Sequence, residues 1–90
     1  MIKKANFFKQ FIGEEMDMID LDNLMVENGY YSIMDDGVME QVKQCKNAIY
    51  ISNDEIQHQV IVYFDITIDN GEGESIDAFV LKITNVKDFN

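Results

Sequence analysis

The hydrophobic positions change period partway along the chain, from about 3.6 residues to two, and this separates a helical first half from a β second half. Phe7, Phe8, Phe11 and Ile12 recur at helical spacing and predict a short helix over 3–12, with Asn6 as its cap and Gly13 as its end. Residues 14–19 read two ways, because Met16 and Ile19 keep the helical spacing and would carry that helix past Gly13 at about 1 kcal/mol. A second helix is predicted over 20–28. Asp20 is a good N-cap residue, Leu21, Leu24 and Met25 share one face, and Gly29 stands where a left-handed residue ends a helix. Residues 30–34 are a short apolar stretch, strand or loop. Over 36–46, Val38, Met39, Val42 and Cys45 follow helical spacing behind Asp35 and Asp36, which favours a third helix; the competing reading makes Asp36-Gly37 a hairpin turn.

Beyond residue 47 the alternation is that of strands. Residues 48–52 are β-branched and aromatic, 53–56 form a turn, and 57–68 give the longest strand. Its core face carries His58, Val60, Val62, Phe64, Ile66 and Ile68, while Ile61 and Tyr63 make the opposite face apolar too, as in a central strand. Asn70-Gly71 marks a hairpin loop leading to a partner strand over 75–84, with Ile76, Ala78 and Val80 on one side and Phe79, Leu81 and Ile83 on the other. Residues 86–89 are a tail. The expected fold is a single acidic α+β domain over 1–90. Its N-terminal helices pack on one face of a three-stranded antiparallel sheet, a meander within 48–84. Ninety residues suffice for one core without disulfides or a structural metal.

Charge changes the picture more than composition does. The net charge is −10, arginine is absent, and residues 13–42 hold nine acids and no base. Direct binding to nucleic acid or to an anionic membrane is therefore not expected. No apolar run is long enough to span a membrane, and Lys9 and Gln10 break the run that follows Lys3 and Lys4, so neither a span nor a secretory leader is expected. The single cysteine excludes an internal disulfide and fits a reducing, cytoplasmic setting. Lysine without arginine, many Ile and Asn residues and no Pro or Trp are what an AT-rich genome encodes, such as that of a low-GC bacterium or its phage.

Candidate chemistry is sparse. Cys45 and His58 are the one soft pair on offer, and they fall on different elements; Cys45 reads as a small hydrophobe on its helix and His58 as the rim of a core face. No serine lies in a nucleophile elbow. The acidic runs at Asp20-Leu21-Asp22 and at Asp65, Thr67 and Asp69 lack the glycine and spacing of a calcium loop. No catalytic, cofactor or metal site is expected, and the chain reads as non-enzymatic. What remains is the acidic segment itself, rich in methionine, an adaptable side chain that serves cores and binding surfaces alike. Glu14, Glu15, Asp17, Asp20, Asp22, Asp35 and Asp36 are the candidate contact acids for a basic protein partner, such as a nucleic-acid-binding enzyme whose groove rewards negative charge. In size, charge and α+β pattern the chain resembles uracil-DNA glycosylase inhibitors and many anti-CRISPR proteins. That resemblance implies a phage-type inhibitor acting as a DNA mimic; it rests on general character, so no residue role is taken from it. The alternatives are a homodimeric or higher-order structural module, since exposed strand edges invite pairing, and an immunity-type partner of a basic toxin.

Overall fold

The structure, a computed structural model, describes residues 3–33, 39–69 and 79–89. In order, the elements are α1 (Ala5–Phe8), a 3-10 turn (Lys9–Phe11), β1 (Glu15–Asp17), α2 (Met18–Glu27), β2 (Tyr30–Ser32), α3 (Met39–Cys45), β3 (Asn47–Ser52), β4 (Gln59–Asp69) and β5 (Phe79–Asp88). The fold is α+β with a curled antiparallel sheet. Among the described residues the sheet has five strands, not three, in the order β1-β5-β4-β3-β2. The three predicted strands are its middle, with β4 at the centre; the three-residue edges are β2, which settles the strand-or-loop reading of 30–34, and β1, where helical spacing was read.

Each edge has a local cause. At Gly13 a φ of +96° turns the chain out of the helical path. The Gly13 amide then donates to the Ile83 carbonyl at 2.7 Å, and the Ile83 amide donates to the Glu14 carbonyl at 3.0 Å. Met16 thus pairs with Leu81 instead of extending a helix. Because β1 runs extended to Asp17, Asp17 and not Asp20 is the N-cap of α2, its carboxylate accepting the Asp20 amide at 2.8 Å. Asn6 is likewise not a cap; Lys4 occupies that position, with no side-chain bond. Gly29 ends α2 with a φ of +87° as expected, and its carbonyl accepts the Asn53 amide, joining the helix end to the β3–β4 turn.

The inward face of the sheet follows the predicted alternation until two irregularities shift it. Tyr63 pairs with Asn85 but Phe64 with Ile83, so Thr84 is an extra residue; this places Ile83 and Val86 on the same buried face and continues β5 through the predicted tail. Ile66 pairs with Leu81 but Ile68 with Val80, so Thr67 is extra, and Ile68 leaves the core face and is exposed. Ala5 and Phe8 of α1, Met18, Leu21 and Met25 of α2 and Val42 of α3 are buried in one cluster with Ala48, Tyr50, Val60, Val62, Phe64, Phe79 and Leu81. Met18 and Met25 are therefore core methionines. Cys45, expected among the apolar positions of α3, is exposed. Asp35, Asp36 and Gly37, the Asn70-Gly71 pair that marks the predicted hairpin loop and the first part of the predicted 75–84 strand lie outside the described residues.

Candidate functional site

Two features of the surface concentrate chemistry. The first is the outward side of β1 and α2. Ile19, Asn23 and Val26 recur at helical spacing on the exposed side of α2, with Asp20 and Glu27 beside them. Ile19 is 40% exposed and Val26 59%, large values for branched apolar side chains on a ten-residue helix. Glu14 and Glu15 are exposed immediately before that helix.

The seven predicted contact acids divide by what they touch. Glu14, Glu15 and Asp20 face water. Asp17 is half-buried and occupied as the cap of α2. Asp22 is half-buried and accepts the Tyr50 hydroxyl at 2.6 Å across the helix–sheet boundary. Burial first, and then the Asp22 charge and hydrogen bond, push the Tyr50 hydroxyl well above its ordinary pKa. Two of the seven thus belong to the fold, and periodicity gave no sign of it, because a capping or core-bonded acid reads in sequence like any other acid. Asp35 and Asp36 lie outside the described residues.

The second feature is an open cavity of about 1040 Å³ at the other end of α2, lined by Lys3, Lys4, Glu27, Asn28, Gly29, Asn53, Asp54, Ile56 and His58. The 53–58 turn that forms one wall is held by its own polar groups. Asp54 Oδ1 accepts the Ser52 hydroxyl at 2.7 Å and the amides of Ile56 and Gln57 at 3.1 and 3.2 Å. The Ser52 bond leads the effects that lower the Asp54 pKa, over an opposing contribution from burial. Buried Ser52 in turn accepts the His58 amide at 2.8 Å. The opposite wall, the N-terminal arm, is fastened by Tyr30, whose hydroxyl donates to the Lys3 carbonyl at 2.6 Å, and by Asp88, which accepts the Ala5 amide at 2.9 Å.

At the back of the cavity His58 is 8% exposed, its Nε2 2.6 Å from Asp88 Oδ1. A carboxylate has no proton to give, so Nε2 carries it. Burial alone would raise the Asp88 pKa. The His58 hydrogen bond, the Ala5 amide and the charges of His58 and Lys4 outweigh it and hold the group below 3.8. A carboxyl lowered in the folded state stabilises the fold above its unfolded pKa and loses that contribution as pH falls through the folded value. Asp88→Asn is therefore expected to flatten the fall in stability below about pH 4. Urea midpoints measured across the acid range check this, and an unchanged slope would show that Asp88 is not the titrating group.

The structure does not bring Cys45 and His58 together. Cys45 precedes the start of β3, and His58 backs onto its end through the Ser52–His58 backbone bond. Among the described residues no group of three or more His, Cys, Asp or Glu side chains is placed to hold a metal, and no helix is long and apolar enough to cross a membrane. The cavity was not legible as a site in the sequence, because its walls come from residues 3–4, 27–29 and 53–58, none of which forms a motif. No family model, no curated protein and no solved structure matches this chain, so its function has to be argued from these two surfaces.

Proposed function

We propose that the protein is a non-enzymatic binding module that docks through the outward side of β1 and α2 onto a basic surface of another protein, and that it inhibits by covering a nucleic-acid-binding groove. The observation that carries this reading is the exposure of Ile19 and Val26 among Glu14, Glu15, Asp20 and Glu27. Solubility alone calls for the acids but not for the isoleucine and valine between them. Carboxylates spaced along a helix stand in for phosphates, and a neighbouring apolar anchor supplies contact that charge cannot. A phage or mobile-element inhibitor, acting in the cytoplasm as a DNA mimic, is the setting this chemistry suits.

The test is a pulldown of nucleic-acid-binding proteins from a low-GC bacterial lysate, resolved by a salt gradient. The control bait carries Glu14→Gln, Glu15→Gln and Asp20→Asn, three exposed positions outside the buried core. A partner that elutes with salt, is lost with the control bait and is displaced by its own nucleic acid supports the proposal. Retention unaffected by salt and by neutralisation sinks it, since exposed charges act through a screened field.

A second reading, self-association, rests on the outer sheet face. There Ile49, Ile51, Ile61 and Tyr63 are only half-buried, and Tyr31 pairs with Ile51 at 44% exposure. Sedimentation at high protein concentration and high salt decides it: a monomer there removes this reading, and a dimer upholds it.

A further inference from the structure

We infer that two copies of the chain stack their outer sheet faces into a four-layer sandwich, sheets inside and helices outside, which turns the two acidic α2 sides to opposite surfaces. This rests on the self-association reading and gives it a face, an architecture and a consequence for docking. The described side chains of α1, α2 and α3 that are buried all belong to the cluster on the inward face of the sheet. On the outward face, Tyr31 and Ile33 lie beside Ile49 and Ile51 of β3, and these beside Ile61 and Tyr63 of β4. The six form one apolar patch across neighbouring strands, and Tyr31 and Ile33 are its most exposed members at 44% and 49%. At about 4.8 Å between strands and 3.3 Å per residue, the five strands present on the order of 500 Å² per copy. Two stacked copies therefore bury about 1,000 Å², the least that a specific interface needs. Charge argues for a second copy as the occupant. Lys82 of β5 lies in register between Glu15 of β1 and Asp65 of β4, and the Lys87 ammonium stands 5.7 Å from the Tyr63 ring centre. The face thus sets two lysines against two exposed acids, in a chain with seventeen acids and seven lysines. A copy of the chain meets little repulsion there, whereas α2 against α2 would bring Glu14, Asp20 and Glu27 onto their own likeness. A balanced, apolar face also offers neither a basic nor an acidic partner any electrostatic advantage, and it matches itself. Because α2 covers the inward face, stacking leaves both docking sides open, so the assembly engages two basic surfaces at once and gains avidity for a dimeric partner.

The test is sedimentation of the full chain at millimolar concentration from low to high salt, with Tyr31→Lys, Ile33→Lys and Val26→Lys as variants. All three positions are exposed, and each change adds the same single positive charge. Self-association is expected to tighten as salt rises, because the charge of −10 on each copy is screened. Tyr31→Lys and Ile33→Lys should each weaken it by roughly tenfold or more, since an ammonium enters the apolar layer, while Val26→Lys, on the α2 side, should leave it unchanged. Decalysine, added at moderate salt as a basic probe, should shift the NMR signals of Asp20 and Val26 with the dimer still assembled. A monomer at every salt concentration overturns the inference together with the self-association reading. A dimer that is indifferent to Tyr31→Lys and Ile33→Lys, that loosens as salt rises, or that decalysine dissociates keeps self-association and overturns the face-to-face arrangement.

Discussion

Replacing Phe8 by alanine is expected to cost about 3–5 kcal/mol, the largest loss from any single truncation in the N-terminal half. Phe8 is 1% exposed and sits in the common core, edge-on to Tyr30 at 5.5 Å between ring centres and to Phe7 at 5.1 Å. α1 has only four residues, too few to hold its shape in isolation, so it exists because Phe8 and Ala5 bury their side chains. Phe8 also backs the Tyr30 ring whose hydroxyl fastens the Lys3 carbonyl. Its loss therefore opens a cavity and loosens the arm at once. For a chain of this length a loss of that size lowers Tm by roughly 15–30 °C. Phe11 is the internal control, being half-buried against the cluster, and Phe11→Ala should cost roughly a third as much. Urea unfolding with an unchanged slope checks both; a Phe8→Ala loss no larger than that of Phe11→Ala would show that α1 does not depend on this contact.

The same aromatic stripe shows how far sequence reasoning reaches. Phe7, Phe8, Phe11 and Ile12 announced a short helix over 3–12; the structure has a four-residue helix followed by a 3-10 turn, with Phe8 buried, Phe7 and Phe11 half-buried and Ile12 exposed. Val60, Val62 and Phe64 announced the core face of a central strand, and β4 is central. What periodicity missed was what a period cannot encode. A three-residue strand such as β1 contains too few positions for alternation to register, and Gly13 read in sequence either as the end of the first helix, as it proved, or as a costly glycine inside a longer one. The extra residues Thr67 and Thr84 reverse the alternation midway, which moved Ile68 outward against expectation and brought Val86, read in sequence only as part of a tail, onto the core face. The acidic segment was legible as a charge bias but not as individual roles. Glu14, Glu15 and Asp20 face water, whereas Asp17 caps α2 and Asp22 holds a core tyrosine. The arm and turn that enclose the cavity are about fifty residues apart in sequence, and Asp88 links them, accepting the Ala5 amide and bonding the His58 ring.

That division of the acids makes the Asp22–Tyr50 bond the sharpest discriminator between fold and function. Tyr50 is fully buried, and its hydroxyl donates to the Asp22 carboxylate at 2.6 Å. Asp22→Ala strands a buried hydroxyl and should cost about 2–3 kcal/mol. Tyr50→Phe leaves the carboxylate one donor short, but that carboxylate reaches water, so the loss should be about 1–1.5 kcal/mol. Asp22→Asn keeps an acceptor in place and should fall below both. The pH dependence fixes the cause. A phenol whose pKa is raised in the folded state contributes stability that is complete below its unfolded pKa and is lost as pH rises towards the folded value. Tyr50 is raised well above 10.0, and Tyr30 is raised to about 12 by burial and by the charges of Asp88 and Asp54. Stability should therefore fall steeply above about pH 10, and more gently in Tyr50→Phe, which has no phenol at that position to ionise. Urea midpoints between neutral pH and the alkaline limit measure both slopes. Equal slopes would mean that the Tyr50 hydroxyl is not held as described. None of these variants should change salt-dependent binding to a basic partner once the comparison is made under conditions where each is folded, because Asp22 is turned towards Tyr50. The Glu14, Glu15 and Asp20 neutralisation should do the reverse, abolishing binding while leaving the urea midpoint nearly where it was. If instead Asp22→Asn weakened binding as much as that triple change, the docking face would have to extend over the helix–sheet boundary, and the assignment of Asp22 to the fold alone would be wrong.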